Sequence, residues 1–120
     1  MMLKLLKGKV HRATVTDADL NYEGSIGIDS DLMEAAGIIP FEHVEVYDIT
    51  NGSRFTTYAI PLPKGSGEIT INGAAAHLSK PGDLVIICAF QFMEPAEAKT
   101  HKPNLVLVGA KNKIKKITHA

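Results

Sequence analysis

Short runs of alternating apolar and polar residues, separated by Gly, Pro, Asn and Asp, dominate this chain. A period of two is typical of a β-strand with one buried face. The run Leu84 to Phe90 is apolar throughout, so its strand lies either inside a barrel or between the sheet and another subunit. Asn51-Gly52 separates two of the runs and predicts a tight type I′ hairpin turn. The predicted strands cover residues 9–16, 43–50, 54–60, 68–71, 84–92 and 105–108.

Helical patterns are few and short. Residues 30–36 predict a brief helix, which either Ser30 or Asp31 caps at its start and Gly37 ends in the left-handed conformation. Six strands with so little helix predict a mainly β fold, in the form of a small closed β-barrel. The remaining segments are predicted to be helical turns at residues 74–78 and 94–100, a turn at 17–21 and a solvated, frayed tail at 111–116.

Length and charge narrow the class of protein. A chain of 120 residues forms one domain, because it has no room for a second core. Thirteen basic residues balance thirteen acidic ones, so no field of one sign attracts nucleic acid. The longest apolar run is seven residues, against the roughly twenty of a membrane-spanning helix, and Lys4 and Lys7 interrupt any signal-peptide core. We therefore expect a soluble, cytoplasmic protein with no nucleic-acid or membrane partner.

The familiar catalytic and metal-binding patterns are missing from the sequence. Cys88 is the only cysteine, which excludes an intrachain disulfide and a multi-cysteine zinc site. No two of the five histidines have metal-ligand spacing on one predicted element, so we expect no metal. Residues 23–27 have Glu where a nucleophile elbow requires its first glycine, and no phosphate-binding loop is present. Cys88 itself lies in an apolar strand and is predicted to be an inert, buried thiol.

A different chemistry is suggested by Gly24-Ser25. A serine hydroxyl can attack the carbonyl carbon of the preceding residue and convert that peptide bond into an ester. Elimination and hydrolysis then leave a pyruvoyl group at the new N-terminus. Glycine before the serine favours this reaction because it lacks a Cβ and tolerates strained backbone angles. The same dipeptide occurs at Gly52-Ser53 and Gly65-Ser66, however, and by itself it predicts only a turn.

Five separated motifs, found in one order, together carry a family resemblance. They are Lys9-Val10-His11-Arg12, Tyr22-Glu23-Gly24-Ser25, Thr50-Asn51-Gly52, Arg54-Phe55-Thr56-Thr57-Tyr58-Ala59-Ile60 and Asn72-Gly73-Ala74-Ala75-Ala76-His77. From about Gly8 to Pro103 the chain resembles the aspartate 1-decarboxylases, pyruvoyl-dependent enzymes that make β-alanine for pantothenate synthesis.

The resemblance implies a fold, an assembly and a reaction. The fold is a six-stranded double-psi β-barrel with short helices, and the assembly is a homotetramer. Self-cleavage between Gly24 and Ser25 divides the single domain, residues 1–120, into a β chain of residues 1–24 and an α chain of residues 25–120. The pyruvoyl group derived from Ser25 forms a Schiff base with L-aspartate and accepts the electrons released as carbon dioxide leaves. Whether cleavage is spontaneous or needs a maturation factor is left open.

The resemblance also assigns roles along two strands. Tyr58 is the acid that reprotonates the substrate carbon, and Arg54 clamps a substrate carboxylate through its planar fork. Strand alternation puts Arg54, Thr56 and Tyr58 on one face, as a shared pocket requires. Lys9 adds positive charge near the same carboxylate. His11 shares a face with Lys9, and a purely structural role for this histidine is equally open.

Thr57 is assigned both to the processing step and to substrate binding. Alternation points Thr57 away from Tyr58, so either the strand twists or bulges there or the site lies where two subunits meet. We favour the subunit boundary, which also fits a tetramer. Further substrate contacts come from a side-chain amide and from backbone N–H groups, which belong to Asn72, Gly73, Ala74 and Ala75.

Three departures from the family pattern accompany these assignments. Asn21 stands where relatives often have histidine, Tyr47 where tryptophan is common, and Ile26 where a smaller residue is frequent. Tyr22 does not depart from the pattern and is placed at the pocket mouth. Ile26 could slow self-cleavage and Tyr47 could reshape the pocket wall. The competing interpretation from another class is a non-catalytic double-psi barrel that serves as a binding or assembly module and is never processed.

Overall fold

The computed structural model describes residues 1–119, and its dominant element is the β-strand. Two short α-helices, α1 (Ser30–Ala36) and α2 (Pro95–Ala98), and 3-10 turns at Gly73–His77 and Ala110–Asn112 connect the strands. The strands are β1 (Leu3–Thr14), β2 (Asp17–Asp19), β3 (Ser25–Asp29), β4 (His43–Asp48), β5 (Arg54–Leu62), β6 (Ile69–Asn72), β7 (Leu84–Met93), β8 (Asn104–Val108) and β9 (Ile114–Thr118).

All nine strands belong to one hydrogen-bonded sheet, in the order β2-β6-β3-β5-β4-β7-β1-β8-β9. The mainly β prediction is confirmed, but the prediction of six strands is wrong. Within residues 1–119 no pairing joins β2 to β9, so the sheet is not closed by hydrogen bonds as predicted. The apolar strand β7 lies between β4 and β1 and is therefore not an edge strand, with Val85, Ile87 and Ala89 buried in the core.

One buried cluster forms the core of the curled sheet. Alternate residues of the strands point into it, and most of these are Val or Ile with no exposed surface. Burying each such side chain contributes about 1.5–3 kcal/mol. The inward-facing residues of the strands include Val10, Ile26, Ile28, Val44, Val46, Ala59, Ile69, Ile71, Val85, Ile87 and Val106. None of the helices in residues 1–119 is long and apolar enough to cross a membrane.

Three strands were missed because their sequences lack alternation. All five residues of β3 are buried, so no polar face marks it, and β2 is a three-residue strand of the sequence Asp-Ala-Asp. β9 contains Lys115 and Lys116 between apolar residues, and main-chain pairing with β8 holds it in the sheet. The prediction of a frayed tail at 111–116 is therefore wrong, and the turn predicted at 17–21 is confirmed only for Leu20 and Asn21.

The hairpin between β4 and β5 is confirmed, but its turn is longer than predicted. Asp48 N–H donates to the Ser53 carbonyl at 2.8 Å and Gly52 N–H donates to the Asp48 carbonyl at 2.9 Å. Only Gly52 has a positive φ, at 80°, whereas a type I′ turn needs one at Asn51 as well. The predicted turn type is therefore wrong.

The ends of α1 are set by two residues. Gly37 ends the helix in the left-handed conformation, as predicted. The cap at the start is Asp29, whose carboxylate accepts from Asp31 N–H at 2.8 Å, so neither Ser30 nor Asp31 is the cap. Asp29 also accepts from Gly65 N–H and Gly67 N–H and thereby fixes the following loop to the helix.

A buried pair of carboxyl groups joins the end of β4 to the start of β7. Asp48 and Asp83 are hydrogen-bonded to each other, and Ser79 Oγ donates to Asp48 Oδ2 at 2.8 Å. The hydrogen bond to Asp48, together with burial, raises the pKa of Asp83. Burial opposes ionisation of Asp48 too, but the hydrogen bonds from Asp83, Ser79 and backbone N–H groups outweigh it and lower the pKa of Asp48. Of the two carboxyl groups, Asp83 is therefore the one that keeps its proton to higher pH.

Candidate active site

Ser25 is the first residue of β3 and has no exposed surface. Its antiparallel partner is Asn72, the last residue of β6, and Asn72 Nδ2 donates to Ser25 Oγ at 3.0 Å. The next pair in register, Ile26 and Ile71, points into the core, so Ser25 and Asn72 share the opposite face. The hydroxyl next to the Gly24 carbonyl is thus held by a side-chain amide from a neighbouring strand.

The chain before Ser25 packs against the 3-10 turn that follows Asn72. Gly73 begins this turn with a φ of 75°. A Cβ on Gly73 would lie 2.7 Å from Gly24 Cα and 2.9 Å from Gly24 N, distances that no packed side chain adopts. Gly73 therefore has both a steric and a conformational need to be glycine.

Neither the steric nor the conformational requirement for glycine applies at Gly24. A Cβ at Gly24 would meet nothing within 4 Å, and its φ lies outside the left-handed region. In the uncut chain, Gly24 therefore does not adopt a left-handed backbone conformation. The close approach in this part of the molecule depends on Gly73 instead, a position that the sequence motif includes without showing why.

Tyr58 lies on the strand next to Ser25. β3 and β5 are parallel with Ile26 opposite Ala59, so Ser25 and Tyr58 each precede one member of that buried pair and share a face. The Tyr58 side chain is half-buried, and its ring lies 6.3 Å from the ring of Phe41. The structure therefore brings Ser25, Asn72 and Tyr58 to one face of three adjacent strands.

Thr57 points to the other face. Its partner on β4 is the buried Val44, whereas the partner of Tyr58 is the exposed His43. The register between β4 and β5 is continuous from Arg54 to Tyr58, so no bulge brings Thr57 and Tyr58 to one face. An irregular strand therefore does not explain how Thr57 and Tyr58 could serve one site.

The two alanines that were assigned to substrate binding lie in the 3-10 turn after Gly73. Ala74 is exposed, and Ala75 packs against the core with its side chain. Only their backbone groups are therefore suited to polar contacts, and the first N–H groups of a helical turn have no acceptor within it.

Tyr22 lies at the mouth of a groove on the Ser25 side of the sheet. Its side chain is 59% exposed. The groove is about 260 Å³ in volume and also includes Asn72 and Gly27 in its wall. Two carboxylates, those of Asp17 and Asp19, line it as well, a feature that sequence reasoning missed.

Lys9, His11, Tyr47 and Arg54 form a second group on the outer face of the sheet, which we term the charged face. Strand register arranges these side chains in two rows across β1, β7, β4 and β5. Lys9 and Arg54 belong to different rows and are three strand spacings apart, about 14 Å measured across the strands. The rows are Lys9, Cys88, Glu45 and Thr56, and His11, Ile86, Tyr47 and Arg54.

Arg54 is held by an aromatic ring that is itself fixed. Its guanidinium carbon lies 4.5 Å from the centre of the Tyr47 ring, and Tyr47 Oη donates to Glu45 Oε1 at 2.7 Å. That hydrogen bond to Glu45, together with burial, raises the pKa of Tyr47 to about 12. Sequence reasoning missed Glu45, although its position two residues before Tyr47 on one strand is a signal that it shares the face.

His11 and Cys88 are poor candidates for a proton or electron carrier. Burial, with the positive charges of Lys9 and Arg12, lowers the pKa of His11. Its Nδ1 is buried and has no hydrogen-bond partner among residues 1–119. Burial raises the pKa of Cys88 to about 11, and the thiol is almost fully covered, which confirms the prediction of a buried thiol.

These features describe a small β protein with a buried serine, a partnered amide and a phenol on adjacent strands. The chain matches the aspartate decarboxylase family over residues 1–115. It is 57% identical over 120 residues to the aspartate 1-decarboxylase of Xanthomonas oryzae pv. oryzae, covering the whole chain and 95% of that protein. Identities to the aspartate 1-decarboxylases of Methylibium petroleiphilum and Bordetella avium are 55% and 54%, each over 94% of the chain and 94% and 93% of those proteins. The chain belongs to the aspartate decarboxylase family, as its motifs predicted.

Proposed function

We propose that this chain cleaves itself between Gly24 and Ser25 and then converts L-aspartate into β-alanine and carbon dioxide, a step of pantothenate synthesis. Membership of the aspartate decarboxylase family supports the reaction. The observation that carries the proposal is the hydrogen bond from Asn72 Nδ2 to Ser25 Oγ, at 3.0 Å, next to the Gly24 backbone that packs on Gly73.

Maturation uses the chain's own atoms and one water molecule. Ser25 Oγ bonds to the Gly24 carbonyl carbon as the amide C–N bond breaks, which gives an ester and a free amine. Loss of the Ser25 Cα proton and cleavage of the Cβ–Oγ bond then release Gly24 as a carboxylate. Hydrolysis of the resulting dehydroalanine takes up water and releases ammonia, leaving a pyruvoyl group on residue 25. Asn72 holds Oγ in place for the first step.

The pyruvoyl group supplies an electron-accepting carbonyl for decarboxylation. Ser25 lies in a buried position next to Asn72, which suits a covalently attached group that must be shielded from water. Tyr58, on the adjacent strand and the same face, holds a proton on Oη and delivers it to the substrate carbon. Asn72 and the N–H groups at the start of the Gly73–His77 turn bind oxygen atoms of the substrate.

The carboxylate clamp lies too far away to act within one chain. Arg54 precedes Tyr58 by four residues on an extended strand, a distance of about 13 Å, and Lys9 is on β1, four strands from β3. This exceeds the separation of the two carboxylates of aspartate. We therefore place each active site at a subunit boundary of a homotetramer, with Ser25, Asn72 and Tyr58 from one chain and Lys9 and Arg54 from neighbouring chains.

The finer features of the fold also belong to the proposal. We include a double-psi arrangement of the curled sheet in the proposal. A cut after Gly24 would leave both strands of chain 1–24 paired with strands of chain 25–120, because β1 pairs with β7 and β8, and β2 pairs with β6. Chain 1–24 would therefore stay bound to chain 25–120 after cleavage, as one domain. For Thr57 the support is the family resemblance alone, since its side chain lies on the face of β5 opposite to Tyr58.

The activity is tested by incubating purified protein with L-aspartate and measuring β-alanine and carbon dioxide, with L-glutamate as the matched substrate. We expect equal amounts of both products from aspartate and far less product from glutamate. Inactivation by borohydride in the presence of aspartate would support a carbonyl cofactor. Uncut protein without product would favour the non-catalytic module, unless cell extract restores both cleavage and activity, which would indicate a maturation factor.

A further inference from the structure

A small groove lies on the charged face between β1 and β9, and we term it the β1–β9 groove. Its volume is about 160 Å³. Two strands that the sequence patterns did not connect, β1 and β9, form its walls, and β8 forms its floor. The lining residues are Lys9, His11, Leu105, Leu107, Lys116 and Thr118.

Strand register explains why these side chains meet. On β8, Leu105 pairs with Lys9 on one side and with Thr118 on the other. Leu107 pairs in the same way with His11 and with Lys116. Each leucine therefore separates a β1 residue from a β9 residue by two strand spacings, about 10 Å, which lysine side chains can span from both sides.

The groove has the chemistry of a site for a small carboxylate. Its lining includes two ammonium groups, those of Lys9 and Lys116, together with the Thr118 hydroxyl, and among residues 1–119 no carboxylate lines it. Neither lysine takes part in an ion pair among residues 1–119. The partly buried leucines make the floor apolar, which lowers the local dielectric on that side and strengthens the attraction for an anion. His11 adds a buried ring nitrogen that lacks a partner within the described residues.

We propose that Lys116 is a further substrate-binding residue, which pairs with Lys9 to hold the carboxylate that the product retains. This inference rests on the proposed function. The carboxylate that leaves as carbon dioxide gains nothing from a strong cation, because an ion pair stabilises the charged ground state more than the decarboxylation transition state. The retained carboxylate keeps its charge throughout, so two lysines bind it without raising the barrier.

The test measures binding of succinate, an unreactive dicarboxylate, to Ser25→Ala protein, which is uncut and carries no pyruvoyl group. His11 imidazole resonances and calorimetry report the binding, and succinamide is the uncharged control. We expect Lys116→Ala to weaken succinate binding about tenfold, Lys116→Arg to retain most of the affinity, and Lys115→Ala to change it little. Lys115 is the matched control because it lies next to Lys116 on β9, carries the same charge and does not line the groove.

Equal weakening by Lys115→Ala and Lys116→Ala would overturn the inference, since net charge alone would then explain the effect. An unchanged His11 spectrum at saturating succinate would also overturn it. In the processed wild-type background, Lys116→Ala should raise KM for aspartate about tenfold with kcat nearly unchanged. Lys116-dependent succinate binding in a protein that never makes β-alanine would contradict the proposed function instead, so the two failures are distinguishable.

Discussion

Two regions of this molecule are built in different ways. The processing cluster, comprising Gly24, Ser25, Asn72 and Gly73, is tightly packed around the buried Ser25 and Gly73, and neighbouring strands of one chain complete it. The charged face spreads Lys9, His11, Tyr47 and Arg54 over three strands, β1, β4 and β5, with β7 between them, and these side chains are partly or fully exposed. The proposed cleavage therefore uses groups that one chain brings together, whereas the proposed substrate binding uses side chains that the same chain does not bring to Ser25. Cleavage and substrate binding should consequently respond to different mutations.

The largest effect is expected for Ser25→Ala, which removes the nucleophile of the processing cluster. Cleavage and decarboxylation should both vanish, while the fold survives with the loss of about 1 kcal/mol from one hydrogen bond. The control is Ser66→Ala, in a dipeptide of the same sequence whose serine is exposed on a loop. Ser66→Ala should cleave normally, as seen by denaturing electrophoresis. Residual product formation by Ser25→Ala would contradict the mechanism.

Gly73→Ala should come next, because it forces a methyl group against Gly24. Gly52→Ala is the matched control: both glycines have a φ near 80°, but a Cβ at Gly52 meets nothing within 4 Å. Each variant should lose about 1–2 kcal/mol of unfolding free energy from the left-handed conformation. Only Gly73→Ala should also block or greatly slow cleavage, measured as the uncut fraction over time. Equal cleavage rates in the two variants would mean that the close packing on Gly24 has no role in processing.

Tyr58→Phe separates cleavage of the chain from decarboxylation of aspartate. Its hydroxyl is proposed to act after maturation, so cleavage should proceed while kcat for aspartate falls about 10²–10⁴-fold. The rate of β-alanine formation and the extent of cleavage are measured on the same sample. If Tyr58→Phe remains uncut, its role includes processing and the assignment as proton donor alone is wrong.

Arg54→Lys tests the charged face with a smaller expected effect. Lysine keeps the charge but loses the planar fork and its packing on Tyr47, so KM for aspartate should rise about tenfold. Cleavage between Gly24 and Ser25 should continue at the wild-type rate. Slower cleavage in Arg54→Lys would show that the two regions are not independent.

The smallest effect concerns the carboxyl pair that joins β4 to β7, the middle strands of the charged face. Asp83, with its raised pKa, contributes stability while it is protonated and loses that contribution as pH rises through the raised pKa. Asp48, with its lowered pKa, has the opposite sign and loses its contribution as pH falls. Asp83→Asn keeps an N–H donor for Asp48 and does not titrate.

Between mildly acidic and neutral solution, the unfolding free energy of the wild type should therefore fall relative to that of Asp83→Asn, by about 1 kcal/mol. Urea unfolding at the two pH values measures this difference. The cleavage rate should not follow it, since the pair makes no contact with Ser25. A constant difference between the two proteins at all pH values would show that Asp83 does not hold the proton.

The fold was predictable where local pattern and burial agree. The apolar run of β7 predicted a strand in the interior of the sheet, and β7 does pair with β4 on one edge and β1 on the other, although its outward-facing Phe92 is 65% exposed in the single chain. β3 was not predictable, because the five residues that begin at Ser25 are all buried and owe their strand form to pairing with β5 and β6, far away in sequence. β9 likewise depends on its register with β8, which the lysines at its centre conceal.

Features of the candidate site likewise fall into those that a local sequence pattern predicts and those that depend on residues distant in sequence. Alternation alone separated Thr57 from Tyr58, and the structure keeps them on opposite faces. The contact between Gly73 and Gly24 joins residues that are distant in sequence, so no local pattern contains it. The separation of Lys9 from Arg54 follows from strand order, which a sequence motif does not encode.

The most direct measurement is the intact mass of the purified wild-type protein. The account predicts two chains, residues 1–24 ending in a carboxylate and residues 25–120 starting with a keto group, with a summed mass that reflects one water gained and one ammonia lost. Borohydride should add hydrogen to the larger chain only. A protein that makes β-alanine while its 24–25 peptide bond is intact would contradict the account.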